Sequence, residues 1–392
     1  MNVFASNVSS TPTGRGRRTG RTALAVAVAG AAVGAFTAQP LITASAAKDG
    51  YSETALVSDI AGRAAQTDVD LKNPWGIVAG PATPFWVSDN NAGVTTLYLG
   101  TGNKVFLNNG KALIPHVIIP GIGGNPGAPT GVVFARGAGF TLSANGRSAD
   151  SFFIFATEDG TIAAWSPTVD LASAITTVDH STVPSAQNGA VYKGLALAAA
   201  GGANQLYATN FRAGTVDVFD TSFNQVTPGG GAFADAMIPA GYAPFGITAV
   251  PQGLLVSYAL QNAAKHDDVA GQGHGFVDLY STSGVLLDRL VRHGLLNSPW
   301  GMAMAPASGF GRFSGDLLVG NFGDGTIHAY STGGQFAGAL RGADGRPLVN
   351  EGLWGLRFGN GSAAGPTTTL FFTAGLNGET DGLFGAITAA GG

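Results

Sequence analysis

One short phrase occurs six times along this chain, and its spacing constrains the fold more than any other feature. It appears first as Asn73-Pro74-Trp75-Gly76 and again, nearly unchanged, as Ser298-Pro299-Trp300-Gly301. Gly352-Leu353-Trp354-Gly355 keeps the Trp-Gly pair. Ala128-Pro129-Thr130-Gly131 and Ala243-Pro244-Phe245-Gly246 keep the Pro and Gly, and Val191-Tyr192-Lys193-Gly194 keeps an aromatic and the Gly. The glycines stand at 76, 131, 194, 246, 301 and 355, so the steps are 55, 63, 52, 55 and 54 residues. A period of that size marks a repeat architecture.

The residues after each landmark repeat as well. A second apolar run comes next: Phe85-Trp86-Val87, Phe152 to Phe155, Leu206-Tyr207, Leu254 to Val256, Leu317 to Val319 and Leu370 to Phe372. A polar turn comes after it, then an alternating run such as Val94 to Leu99 or Gly160 to Trp165. A fourth run shows in several units, for example Lys104 to Leu107 and Val285 to Leu290. Short alternating strands punctuated by Gly, Asn, Asp and Pro read as antiparallel β-structure. Four strands per unit in six units predict an all-β fold, a six-bladed β-propeller. The first strand of each blade would line a central channel, where glycine lets crowded backbones approach. The aromatic before it, as in Trp75, Trp300 and Trp354, is expected to fill the wedge between neighbouring blades.

Residues 1–47 fall outside this pattern. Arg15, Arg17, Arg18 and Arg21 precede an Ala-rich apolar run from Thr22 to Phe36, and Ala44-Ser45-Ala46 offers small residues for cleavage. This predicts a secretory signal peptide on the Sec or twin-arginine route, with a secreted or periplasmic product. Residues 48–392 are then one propeller domain. That part holds 16 Lys and Arg against 24 Asp and Glu, a net charge of −8. Such a surface disfavours nucleic acid and anionic membranes. No later apolar run is long enough to span a bilayer. The chain has no cysteine, which excludes disulfides, thiolate metal sites and cysteine nucleophiles.

The last unit ends after its third strand near Ile387, while a strand-like run from Glu53 to Ser58 precedes the first landmark. Glu53–Ser58 is therefore predicted to be the outer strand of the last blade. Joining the chain's two ends closes the ring and covers a sheet edge.

Aligning the repeats ends the second strands at Ser88-Asp89, Thr157-Glu158, Thr209-Asn210, Ser257-Tyr258, Gly320-Asn321 and Ala374-Gly375. On that alignment Asp89, Glu158, Asn210 and Asn321 ring the channel mouth. These are oxygen donors suited to Ca²⁺ or another hard divalent cation. The competing reading is that Asp and Asn begin turns by bonding local backbone. A long insertion, with Lys265-His266-Asp267-Asp268 and Gly271-Gln272-Gly273-His274-Gly275, comes after Tyr258 on the same face. His266 and His274 are its candidate acid–base residues, against a solvated glycine-rich lid. A weaker insertion is Asn377-Gly378-Glu379-Thr380-Asp381. His116, His180, His293 and His328 are scattered and read as structural. No P-loop, HExxH or GxSxG is present.

The phrase Asn73-Pro74-Trp75-Gly76, with Phe85-Trp86-Val87-Ser88-Asp89-Asn90-Asn91-Ala92-Gly93 behind it, resembles an NHL-type propeller repeat. Residues 51–388 as a whole resemble a family of exported bacterial propeller proteins of uncharacterised function. Propellers of the gluconolactonase and regucalcin type are similar in another respect. Their central divalent metal sits on Glu, Asn and Asp at the channel mouth, which Asp89, Glu158, Asn210 and Asn321 match in kind. Two functions are therefore expected. One is a monomeric binding or scaffold protein for a small molecule, glycan or protein. The other is a divalent-metal-dependent hydrolase of the lactonase kind.

Overall fold

The computed structural model describes residues 50–390 and the two-residue strand Phe4–Ala5; the predicted signal peptide lies outside the described residues. Six antiparallel sheets are arranged as blades around a central channel. Blade 1 runs Pro74–Val78, Phe85–Asp89, Val94–Tyr98 and His116–Ile118 from the channel outward. The other inner strands are Pro129–Phe134, Tyr192–Ala200, Tyr242–Val250, Pro299–Met304 and Leu353–Phe358, for blades 2 to 6. The alanine-rich stretch after Lys193 is thus a strand. Each inner strand holds the last three residues of the repeated phrase, its landmark glycine included.

The ring closes through the chain's ends. Tyr51–Ser58 pairs antiparallel with Asp381–Ala389, from Tyr51 opposite Ala389 to Ser58 opposite Leu383. Gln66–Thr67 adds a short parallel fifth strand beside it. One expectation is corrected in blade 1. Lys104 to Leu107 is not its fourth strand: Lys104 bridges only Tyr98, and Phe106–Asn108 turns away to pair with Leu113–Ile114. His116–Ile118 takes the fourth place along Val94–Thr96.

Each landmark glycine lies against the inner strand of the next blade. A Cβ at Gly246 would stand 2.1 Å from the Trp300 carbonyl oxygen, and one at Gly355 would stand 2.6 Å from that of Trp75. No side chain fits at that separation, which is why the repeat keeps glycine there. Hydroxyls reinforce the same seams: Thr209 Oγ1 donates to Phe245 O at 2.7 Å, Ser257 Oγ to Pro299 O at 2.6 Å and Thr373 Oγ1 to Trp75 O at 2.6 Å. Blade 2 has Ala156 at that position, and Thr130 Oγ1 supplies the bond instead, donating to Tyr192 O at 2.9 Å.

The residues before the landmark glycines do not fill wedges between adjacent blades, as expected from sequence; they meet across the channel. Trp75 and Trp354 stack at 3.5 Å between centroids. Trp300 meets both edge-on at 6.0 and 5.7 Å, and Phe245 contacts Trp354 at 5.9 Å. Trp75 and Trp300 belong to blades 1 and 5, so this is a plug and not a seam. Trp300 Nε1 donates to Lys193 O at 3.0 Å and Trp354 Nε1 to Asn73 Oδ1 at 3.1 Å. The plug divides the channel into an upper mouth and a lower cavity.

Candidate functional site at the channel mouth

Strand register decides which side chains reach the mouth. Pro74 pairs with Asp89, Pro129 with Thr157, Tyr192 with Asn210 and Pro299 with Asn321. Thr157, not Glu158, is therefore the counterpart of Asp89. A one-residue offset turns a side chain to the opposite face. The residues one step later, Asn90, Glu158, Phe211, Ala259, Phe322 and Gly375, are the ones set around the mouth. Phe211, Ala259 and Phe322 join the plug, with Phe322 stacked on Trp354 at 4.0 Å.

The expected ring of four oxygen ligands does not assemble. Asp89 is fully buried inside blade 1, where Oδ2 accepts from Thr96 N at 3.0 Å. Burial pushes its carboxyl well above the usual range, and the charge of nearby Asp68 adds to this. Asn210 caps a turn, accepting from Ala213 N at 3.2 Å and donating to Asp217 at 3.0 Å. Asn321 accepts from Asn297 N at 3.1 Å and donates to Leu295 O at 2.8 Å. Both satisfy backbone, as Asn often does at turns. Glu158 alone of the four faces the mouth.

A different group converges there. Lys193 occupies the position that carries Trp in blades 1, 5 and 6. Its stem is buried in the plug, with Nζ 5.0 Å above the Trp75 ring. The ammonium bonds Glu158 Oε1 and reaches Asp267 Oδ1 at 3.5 Å. Asn90 Nδ2 donates to the other Glu158 oxygen at 2.9 Å. From the blade 4 insertion, His266 Nδ1 lies 2.7 Å from Asp267 Oδ1. That bond, with the Lys193 charge, holds Asp267 down at about 2. Glu158, His266 and Asp267 each offer a donor atom within 4.8 Å of the others. His274 stays apart from this group, bonding Val269 O within its own loop at 2.8 Å. The four scattered histidines are each held locally: His116 by Asp70, His180 by Tyr192, His293 by Gly273 O and His328 beside Asn321.

Two more carboxylates border the mouth. Asp268 is largely enclosed, and burial raises its pKa against the pull of Ser298 and Lys193. Glu379 comes from the short blade 6 insertion at a backbone φ of 70°, an unusual conformation for a residue with a side chain. Burial first, then repulsion from Glu158, pushes Glu379 up to about 7, while Asn73 Nδ2 donates to it at 3.2 Å. A cavity of about 490 Å³ opens beside it, walled by Phe322, Asp324, Glu351 and Glu379. Sequence reading missed Lys193. The signal was present: a lysine at the one place in the repeat where most other blades put an aromatic.

No family model matches the chain. The uncharacterized protein L690 of Acanthamoeba polyphaga mimivirus is 32% identical over 334 residues, covering 83% of this chain and 82% of that protein. The chain belongs to the family of that protein. The uncharacterized protein R648 of the same virus is similar too, 29% identical over 341 residues, with 85% and 78% covered. Among solved structures, the soluble aldose sugar dehydrogenase of Escherichia coli superposes with a TM-score of 0.51 at 12% identity, over 86% of this chain and 99% of that one. A protein of unknown function from Bacteroides thetaiotaomicron gives 0.52 at 10% identity, over 87% and 76%. Likeness at these identities is one of fold alone.

Proposed function

We propose that this protein is a binding propeller whose ligand sits at the upper channel mouth, against Glu158, Lys193, Asp267 and Glu379. The observation that carries this reading is convergence. Blades 2, 3, 4 and 6 each send a charged side chain to one point above a closed aromatic floor. The blade architecture needs none of these charges, and two of them arrive on insertions beyond the regular turns. Carboxylates outnumber the single ammonium, so the ligand should present hydrogen-bond donors or positive charge: a hydroxyl-rich glycan or small molecule, or a basic protein segment. An amine- and polyol-containing ligand panel, read by thermal shift and confirmed by calorimetry, tests this. Asp267→Ala should abolish the binding of any hit; a panel without hits, or hits retained in Asp267→Ala, would reject it.

A second reading rests on the three donor atoms of Glu158, His266 and Asp267. They suit Ca²⁺ or another divalent cation, with His266 as base in a lactonase-like hydrolysis. Lys193 stands against it, since its ammonium already neutralises two of those ligands. A melting curve with Ca²⁺ and with chelator separates the readings, because a bound ion must shift stability. The protein is further inferred to be exported as a monomer to the periplasm or medium. The expected mature N-terminus is Ala47 or Lys48, which N-terminal sequencing checks.

A further inference from the structure

Below the plug lies a second space that the mouth does not use. The six inner strands enclose a cavity of about 550 Å³, lined at one end by Trp300 and five of the six landmark glycines. That volume is within the range of small-ligand pockets, roughly 300–1,000 Å³. Most of its side chains are apolar, Val133, Phe134, Leu197, Val250, Met304 and Phe358 among them, and Thr248 adds a hydroxyl. Arg357 is the one charged residue among those lining it. The same position, two residues past the landmark glycine, is Val78, Val133, Ala196, Thr248 and Ala303 in the other blades. Nothing in the repeat calls for arginine there.

Arg357 is exposed to the lumen, yet the protein around it is dense enough to disfavour its charge, and no carboxylate offsets that cost. Guanidinium stays protonated even so. Among the described residues it has no hydrogen-bond or ion-pair partner, in contrast to Lys193, Lys104 and Arg289, which all have carboxylates. A guanidinium that faces the lumen without a carboxylate is an arrangement from which the fold gains no ion pair. It is the ordinary arrangement for recognising an anion, through a planar fork of N–H donors. Each inner strand is also bonded on one side only, so its other edge turns polar backbone toward the lumen.

We propose that the lower channel binds a single-headed amphipathic anion, of the medium-chain carboxylate class, with its head on Arg357 and its tail along the apolar side chains. A channel pocket with one cation among mainly apolar side chains suits that chemistry. A polyanion would find a single counter-charge there. The site is independent of the mouth, because the plug separates them.

Dodecanoate is the probe, titrated calorimetrically into the full protein. One molecule should bind per chain. Arg357→Gln should weaken dodecanoate by about 10-fold or more, the scale of one charge-assisted contact, and leave dodecanol unaffected. Ala249→Trp, which fills the lumen, should abolish binding of both. His266→Ala, at the mouth, should change neither. The proposal is overturned if dodecanoate does not bind up to its solubility limit, or if Arg357→Gln binds it as well as the parent does. If Arg357→Gln does not fold, Ala249→Trp and the dodecanol comparison decide: dodecanoate retained in Ala249→Trp, or no preference of the parent for dodecanoate over dodecanol, also overturns it.

Discussion

Replacing Lys193 with methionine tests the organisation of the mouth directly. The side chain is 2% exposed, its partner Glu158 14% and Asp267 59%. Methionine keeps an unbranched stem of similar length over Trp75, so the plug should remain packed and the change is mainly one of charge. Removing one partner of a fully buried ion pair costs about 3–5 kcal/mol. Asp267 is open to water and loses little. Glu158 is mostly covered but keeps the Asn90 bond, which lowers the expected loss to about 2–3 kcal/mol. At about 2.1 cal/mol/K per residue over some 340 residues, each kcal/mol lowers Tm by about 1.4 °C, so a drop of about 3–4 °C is expected. Glu158→Gln added to Lys193→Met removes the stranded charge and should recover about 1.5 kcal/mol or more. Reversible denaturant unfolding of the two single variants, the double variant and the parent completes the cycle. A Lys193→Met protein within 0.5 kcal/mol of the parent, or a double variant no better than Lys193→Met, would refute the argument that this ion pair organises the mouth. Calcium adds a second reading of the same variant. With the ammonium gone, Glu158 and Asp267 are free to hold a cation, so millimolar Ca²⁺ should raise the Tm of Lys193→Met more than that of the parent.

Other perturbations probe the same geometry. Gly246→Ala drives a Cβ against the Trp300 carbonyl at 2.1 Å, a backbone atom that cannot rotate away; a loss of about 3 kcal/mol or more is expected by chemical unfolding. Deleting residues 48–60 strips Tyr51–Ser58 from blade 6 and opens the ring, so the melting temperature should fall sharply and light scattering should rise as the edge is exposed. Asp278 is 1% exposed, and burial, with the nearby Asp235 charge, raises its pKa to about 6 from 3.8. Because the folded value is the higher one, this carboxyl favours folding below pH ~4 and that contribution is lost as pH rises through 6. Asp278→Asn should therefore stabilise by up to about 3 kcal/mol at pH 8 and by little at pH 4, read from unfolding at both pH values. Glu379, lifted to about 7, gains its charge near neutrality; binding of a cationic ligand at the mouth should strengthen between pH 6 and 8 in the parent and lose that dependence in Glu379→Gln, measured by calorimetry.

The fold was legible because a propeller writes its symmetry into the chain. Six crowded inner strands need six glycines, and the spacing between them counts the blades. Ring closure was legible for a related reason: an incomplete last unit and an unassigned first strand are complementary defects. Blade 1 was misread at Lys104 because its outer position is shared between a bridge at Lys104 and a strand at His116–Ile118, and local alternation cannot show such a division. The mouth was only partly legible. Aligning the repeats by sequence put Glu158 in line with Asp89, whereas pairing to the inner strand puts Thr157 there. Asp89, Asn210 and Asn321 thereby turn into the blades. A position's face depends on hydrogen-bond register, which the sequence shows only where both strands of a pair are anchored.

Two departures from the repeat account for both candidate pockets, and both are basic residues on inner strands. The residues before the landmark glycines close the channel with Trp75, Phe245, Trp300 and Trp354, and an all-aromatic set would leave a featureless apolar plug. Lys193 breaks that set and points its charge upward, toward carboxylates delivered by turns and insertions. Arg357 breaks the apolar set two residues past the glycines and faces the cavity below. Symmetry makes the scaffold and sets the rule for each position; a charge that violates the rule carries a desolvation cost the scaffold does not require. Above the plug that cost is offset within the protein, by Glu158 and Asp267, so the mouth is organised in advance and further ligand contacts fall to its excess carboxylates. Below the plug Arg357 faces the lumen without a carboxylate partner, which is why the proposed anion is placed in the lower cavity and not at the mouth.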